Sequence, residues 1–135
     1  MTPNSGDVYG IAKRHANAWM VHDAEGVAAL YEEEAVFIIN LGEPMNGRGD
    51  IAEMVQGYCE EFPDLKLFSD KVRVAGDRAI ALWTAEGTSK ETGKFIKFSG
   101  WEYWKISPKG LISRSDGWYD AEDYERQCQE GYQGA

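Results

Sequence analysis

Residues 79–106 read AIALWTAEGTSKETGKFIKFSGWEYWKI. Two apolar runs flank the polar, glycine-containing KETGK, so the stretch predicts a β-hairpin. Successive strand residues point to opposite faces. Ile80 and Leu82 therefore share one face, and Ala79, Ala81, Trp83 and Ala85 share the other. Likewise Trp101 and Tyr103 oppose Glu102, Trp104 and Ile106. An antiparallel sheet with one face in water would read polar on that face, and this hairpin reads apolar on both. It also carries a glutamate on an apolar face. That carboxylate is an exposed edge residue, a paired structural charge, or a group in a cavity.

Working outward, the spacing predicts four β segments near 65–75, 79–89, 95–106 and 111–119, separated by AGDR, KETGK and SPKG. Helices come first. Val8, Ile11, Ala12, His15 and Trp19 recur at helical spacing, with Ser5 or Asp7 as caps, which predicts a helix of about four turns. Asp23 caps a short second helix ending near Tyr31, and a strand is expected at 36–40. After the loop LGEPMNGRG, Asp50 and Glu53 resemble a capping box. They open a helix whose apolar face is Ile51, Met54, Val55, Tyr58 and Phe62, stopped by Pro63. Asp120 caps a short terminal helix containing Tyr124. Helices followed by hairpin-linked strands imply an α+β fold with a mainly antiparallel sheet. The helices can cover one face of that sheet. A second copy of the chain covers the other, with Trp83, Trp101 and Tyr103 expected at the homodimer interface.

Composition sets bounds on function. The 135 residues suit one domain (1–135) and are 43% hydrophobic and 13% aromatic, as a globular core requires. A formal net charge of −9 repels phosphate backbones, and no basic stripe interrupts it. No apolar run is long enough for a membrane span, and MTPNSGD lacks the features of a signal peptide. Cys59 and Cys128 are expected as free thiols, and the chain as a cytoplasmic protein. Two histidines, His15 and His22, make no zinc motif, so neither metal nor cofactor is expected.

Several segments together resemble the nuclear transport factor 2-like superfamily, and within it the SnoaL-like proteins. They are HDAEGVAALYEEEAVF (22–37), GRGDIAEMVQGY (47–58), EFPDLKL (61–67), AGDRAIALWTAEGT (75–88) and FSGWEYWKISPKGLISRSDGWYD (98–120). The resemblance implies a cone, a SnoaL-like/cystatin-like roll whose curved sheet wraps the N-terminal helices around an apolar pocket. It implies inward positions for His15, Trp19, Phe37, Ile39, Met54, Tyr58, Phe62, Leu82, Thr84, Glu86, Glu102, Trp104, Ser115, Gly117 and Tyr119.

Glu102 is similar in position to the acid that binds the substrate oxyanion in the related steroid isomerases, and His15 to their helix-one tyrosine. A carboxylic acid in an apolar pocket can stay neutral and donate a proton. The competing reading pairs Glu102 with Lys97, Lys105 or Arg114 at the sheet rim. The chain departs from the family where those isomerases keep a base, because Ile39 stands there. It departs from the fold's epoxide hydrolases at Thr84 and Gly117, with Asp116 inward only if a bulge shifts the strand. A histidine common on the last strand is replaced by Ser115.

The resemblance thus implies a cofactor-free isomerase, cyclase or hydratase/dehydratase acting on an apolar, cyclic or polyketide-like molecule. Glu102 and Glu86 would be its acid and base and His15 its polar partner. Trp19, Phe37, Ile39, Met54, Tyr58, Phe62, Trp104, Ser115 and Tyr119 would contact the substrate. The alternative from another class is a small-molecule binding module of the same fold, and a third is a protein-docking domain using the strand face.

Overall fold

A computed structural model describes residues 5–134, and the side chains of residues 5 and 6 lie outside that description. The chain runs α1 (Ser5–Met20), α2 (Ala24–Ala28), β1 (Tyr31–Ile39), β2 (Met45–Asn46), α3 (Gly47–Glu61), β3 (Lys66–Ala75), β4 (Arg78–Thr88), β5 (Phe95–Ile106), β6 (Ile112–Tyr119) and α4 (Ala121–Glu130). The six strands form one sheet in the order β2-β1-β6-β5-β4-β3, antiparallel except for the parallel pair β1 and β6. This is the expected α+β architecture with a mainly antiparallel sheet.

Local chemistry explains most element boundaries. Asp23 accepts the Gly26 N–H at 2.9 Å and Asp120 accepts that of Asp123 at 3.1 Å, so both act as N-caps. The expected Ser5 cap falls outside the described side chains. Asp50 does not start α3, which begins three residues earlier at Gly47 (φ 83°). Asp50 Oδ2 instead reaches back to the Asn46 N–H at 2.9 Å, satisfying a donor that the first turn leaves open. The second helix ends at Ala28 rather than near Tyr31, because Tyr31 already opens β1. The acidic run after Tyr31 hid this strand: Glu33 and Glu34 stay in solvent while Tyr31, Ala35 and Phe37 are buried. His22 is half-buried and donates from Nε2 to the Leu65 carbonyl at 2.8 Å, tying the α1–α2 turn to the start of β3. Cys59 and Cys128 are both free thiols.

The helices pack on one face of the sheet, and strand register shows which residues share it. Directly paired residues lie on the same side. One rung runs Phe37, Ser115, Trp104, Ala79, and the next runs Ile39, Gly117, Glu102, Ala81. Beyond them come Tyr119, Gly100, Trp83, and then Phe98, Ala85, Leu67. Phe37, Ser115, Trp104, Ala79, Glu102, Ala81 and Ala85 are all buried. The inner face of β4 is therefore Ala79, Ala81, Trp83 and Ala85.

That assignment reverses the expectation for β4. Leu82 is 39% exposed, and Thr84 and Glu86 share its outward face. Trp83, expected at a dimer interface, points inward. The reason is steric. Ile80 and Leu82 make the middle of the outward face apolar, but Arg78, Thr84 and Glu86 share that face, whereas the inward residues are all apolar and mostly small. Three alanines leave room for α1 and for the aromatic rings opposite, whereas Ile80 and Leu82 would not.

Candidate functional site

Glu102 is 7% exposed and stands at the centre of a polar cluster. Its Oε1 accepts hydrogen bonds from the Ser115 hydroxyl at 3.0 Å, the Trp104 indole N–H at 3.3 Å and the Tyr31 hydroxyl at 3.4 Å. Ser115, Trp104 and Tyr31 are fully buried. His15 Nε2 lies 3.2 Å from the Tyr31 hydroxyl and 4.0 Å from Glu102 Oε2. A phenol has one proton, and Tyr31 gives it to Glu102, so His15 must donate from Nε2. Burial pushes the His15 pKa down, and the nearby Glu102 charge only partly offsets this. The imidazole is thus neutral at pH 7, with its proton on Nε2. Burial, followed by the Glu102 charge, pushes the Tyr31 pKa well above 10, so it stays a phenol.

The members arrive from four elements. α1 delivers His15 one turn before Trp19, and β1 opens with Tyr31. Glu102 and Trp104 are next neighbours on the inner face of β5, and β6 places Ser115 across from Trp104. The rim reading of Glu102 fails, because Lys97, Lys105 and Arg114 occupy the opposite face. Arg114 bonds Asp116 there at 2.9 Å. Asp116 is paired with Tyr103 and Ile38 on that outer face, so no bulge turns it inward.

Above Glu102 opens a cavity of about 70 Å³. Its walls include Trp19, Phe37, Ile39, Met54, Tyr58, Phe62 and Tyr119, all expected there, together with Gly117. Glu102 is the one charged residue in this wall. Gly117 and Ala81 flank it on its own rung, and their small size leaves the carboxylate accessible from the cavity. A Cβ on Gly117 would lie 3.7 Å from Glu102 Cγ, in ordinary contact, so the space beside the carboxylate is real.

Other expectations need correction. Trp104, Ser115 and His15 do not line this cavity. They lie one rung deeper, behind Glu102, where Trp104 and His15 border a separate void of about 10 Å³. Trp104 is a donor to Glu102, packed edge-on to the His15 ring at 5.0 Å, and not a wall of the cavity. Glu86 is not in the site at all. It sits between Lys66 and Lys97 on the outer face, turned away from the cavity. The pairing of Glu86 with Glu102 is thus excluded by strand parity.

Tyr31 in the cluster, and Leu65, Leu67, Trp83, Ala85, Phe98 and Trp118 in the cavity wall, lie outside the expected set. Phe98 was within reach, since it shares the even-numbered face of β5 with Glu102 and Trp104. Tyr31 was hidden by the acidic residues after it. Trp83 was lost with the reversed face of β4. Asn40 also has a role beyond its neighbour's wall position. It adopts φ 52°, and its Oδ1 accepts the Tyr119 N–H at 2.9 Å, pinning the end of β1 to β6. Among the described residues, no group of three His, Cys, Asp or Glu side chains could hold a metal ion. No described helix is long and apolar enough to cross a membrane.

The geometry can be set beside known proteins. A polyketide cyclase candidate from Xanthomonas campestris pv. campestris superposes with a TM-score of 0.85 at 19% identity, covering 93% of this chain and 99% of that one. A protein of ketosteroid isomerase-like fold from Catenulispora acidiphila DSM 44928, solved with trimethylamine, gives 0.80 at 16% identity, covering 88% and 92%. TerC, co-crystallised with polyporic acid, gives 0.79 at 16% identity, covering 91% and 98%. At such identities the likeness is one of fold. No curated protein matches the chain. The SnoaL-like domain family matches residues 12–115, a span that runs from α1 to Ser115 and includes His15, Tyr31 and Glu102. The chain belongs to the SnoaL-like domain family.

Proposed function

We propose that this protein is a cofactor-free acid–base enzyme acting on a small, apolar, cyclic molecule, with Glu102 as the group that moves the proton. The observation that carries this reading is a lone buried carboxylate bordering an otherwise apolar, aromatic-walled cavity. Three donors engage Oε1, whereas Oε2 has no hydrogen bond among the described residues. Oε2 is therefore the oxygen left to take a proton from the substrate and return it. Neutral His15 and Tyr31 hold the carboxylate in place from behind. The reaction classes that need only this are isomerisation next to a carbonyl, aldol-type cyclisation, and addition or loss of water. With Glu86 outside the cavity, one carboxylate serves both directions of transfer.

Cavity volume narrows the substrate. About 70 Å³ is well below the roughly 300 Å³ at which drug-sized pockets begin. A single ring fits better than a fused polyketide, unless the aromatic walls part. The test is deuterium wash-in: cyclohexanone incubated in D2O with the protein, followed by NMR of the protons beside the carbonyl. Wild type should accelerate exchange over buffer, and Glu102→Gln should lose that acceleration. No acceleration by wild type with a ligand that demonstrably binds would leave the non-catalytic binding module as the reading. One observation favours that second reading. An aromatic wall with a single carboxylate also suits a small alkylammonium ion, and the Catenulispora protein was solved with trimethylamine. Binding of trimethylammonium in preference to cyclohexanone would support it.

The outer sheet face supports a homodimer. Trp101 and Tyr103 are 44% and 40% exposed there, beside Leu82, Ile80 and Trp118. Trp101 and Trp118 stack with ring centres 6.4 Å apart, making one contiguous apolar patch. Trp83 takes no part in it. A second copy meeting this patch across a two-fold axis would bury the same patch on both subunits.

A further inference from the structure

Glu102 borders two hollows. One is the apolar cavity, and the other is the void of about 10 Å³ that it shares with His15 and Trp104. A void of that size holds one water molecule where polar groups line it. Among the described residues, the one buried side-chain nitrogen or oxygen that both lacks a partner and is closed to water is Trp83 Nε1. Glu102 Oε2 and His15 Nδ1 have no hydrogen bond there either, so both keep surface that water can reach. His15 borders the void and not the cavity, so the void is where water meets its ring. Oε2 lies on the same side, 4.0 Å from His15 Nε2. With the imidazole proton on Nε2, Nδ1 is an acceptor.

The void also leads outward. Ala12, Ala16, Leu67 and Ser69 line it, and the same four residues line a groove of about 360 Å³ between α1 and β3. Ser69 pairs with Trp83 on the inner face and is itself exposed to solvent. Two features keep this passage open. Ala12 and Ala16 give α1 no bulk beside the void. The register of β3 against β4 shifts between Ser69 and Lys71, and such a shift bends the edge strand at the same point. A charged group in an apolar cavity thus has a second, polar approach from behind.

We propose that the void holds one water molecule, donating to Glu102 Oε2 and His15 Nδ1, through which Glu102 trades its proton with the α1–β3 groove while the substrate cavity stays occupied. This rests on the reading of Glu102 as the group that moves the proton. When Glu102 has taken a proton from a bound molecule, the Oε2–H bond breaks toward the oxygen of this water. The water releases one of its own protons to the water of the groove, and the electron pair stays on the carboxylate. The same transfers in reverse recharge the acid. A proton returned to the bound molecule therefore comes from solvent, without water entering the apolar cavity.

The experiment uses the intact protein in two measurements. In the first, NMR cross-relaxation from water to the His15 ring protons is recorded, with His15 identified by its absence from His15→Gln. A negative water NOE, the mark of a long-lived bound water, is expected in wild type; its absence would overturn the proposal. In the second, deuterium wash-in is measured at saturating cyclohexanone in Ser69→Leu and Ala16→Leu, which plug the passage from β3 and from α1. Both should slow wash-in roughly tenfold or more while binding cyclohexanone as wild type does. Wash-in at the wild-type rate in both plugged proteins would overturn the back route and leave Glu102 as the acid–base group. No acceleration by wild type with cyclohexanone bound would instead overturn the acid–base reading, and this proposal with it. Should one plugged protein fail to fold, the other carries the second measurement, and the wild-type NOE depends on neither.

Discussion

Replacing Glu102 by leucine tests how the carboxylate is held. The change removes an acceptor serving three buried donors, those of Ser115, Trp104 and Tyr31. Two of them can recover. The Tyr31 hydroxyl can turn to His15, which then accepts by changing tautomer, and the Ser115 hydroxyl can rotate toward Tyr31. The Trp104 N–H cannot, because its ring is buried and locked edge-on to His15. One fully orphaned donor costs roughly 1–3 kcal/mol, and two weakened bonds add about 1 kcal/mol. Relief of the carboxylate's own burial works in the opposite direction. A net loss of about 2 kcal/mol is expected for Glu102→Leu. Glutamine keeps the Oε1 acceptor and all three bonds, losing only their charge assistance, so Glu102→Gln should cost about 1 kcal/mol or less. For a chain of this length that difference is roughly 3–5 °C in melting temperature. Urea unfolding of the three proteins side by side measures it. Glu102→Leu proving as stable as Glu102→Gln would refute the claim that Oε1 is held by its three donors. In the wash-in assay Glu102→Gln should bind cyclohexanone nearly as wild type does while losing roughly 10²-fold in exchange rate.

Three further outcomes follow from the geometry. The His15 pKa is lowered in the folded protein, so below pH about 6.5 the unfolded chain binds more protons than the folded one. Stability should therefore fall as pH drops from 7 through that range, by at most about 1.4 kcal/mol per pH unit, and thermal melts of His15→Gln should show a flatter profile. Trp101→Glu puts a charge in the centre of the outer patch, and sedimentation at micromolar concentration should shift from twice 15.1 kDa to the monomer; a monomeric wild type would remove the dimer argument. Gly100→Ala forces a methyl against the Trp118 carbonyl and the Trp83 ring, and should cost about 1–3 kcal/mol in urea titrations, since the backbone atom cannot move aside.

The departures between sequence and structure cluster where local signals compete. The acidic YEEEA stretch reads as solvated and so conceals the first half of β1, although Tyr31 is one of the three donors to Glu102. Asp50, three residues before Glu53, imitates a capping box and so mimics a helix start inside α3. In the folded chain that carboxylate acts on the Asn46 N–H from inside the first turn. Both errors come from reading a side chain's local preference where a longer-range partner decides its place.

By itself the sequence determined the element order apart from β2, and the hairpins, because these follow from period-2 and helical spacing together with turn chemistry, whereas the inward direction of Glu102 came from the resemblance to the SnoaL-like proteins. It also determined that His15 and Trp19 share a helix face. Only the tertiary structure decided which face of β4 looks inward. Ile80 and Leu82 are as apolar as anything on the other side, which masks the polar Arg78, Thr84 and Glu86 beside them, and the space beneath α1 takes the side carrying the alanines. That decision removed Glu86 from the site and brought Trp83 into it. The convergence of Tyr31, Ser115 and Trp104 on one oxygen was likewise beyond reading. It joins β1, β5 and β6 across 71 and 13 residues of sequence, and depends on a parallel β1–β6 pairing that no local pattern encodes.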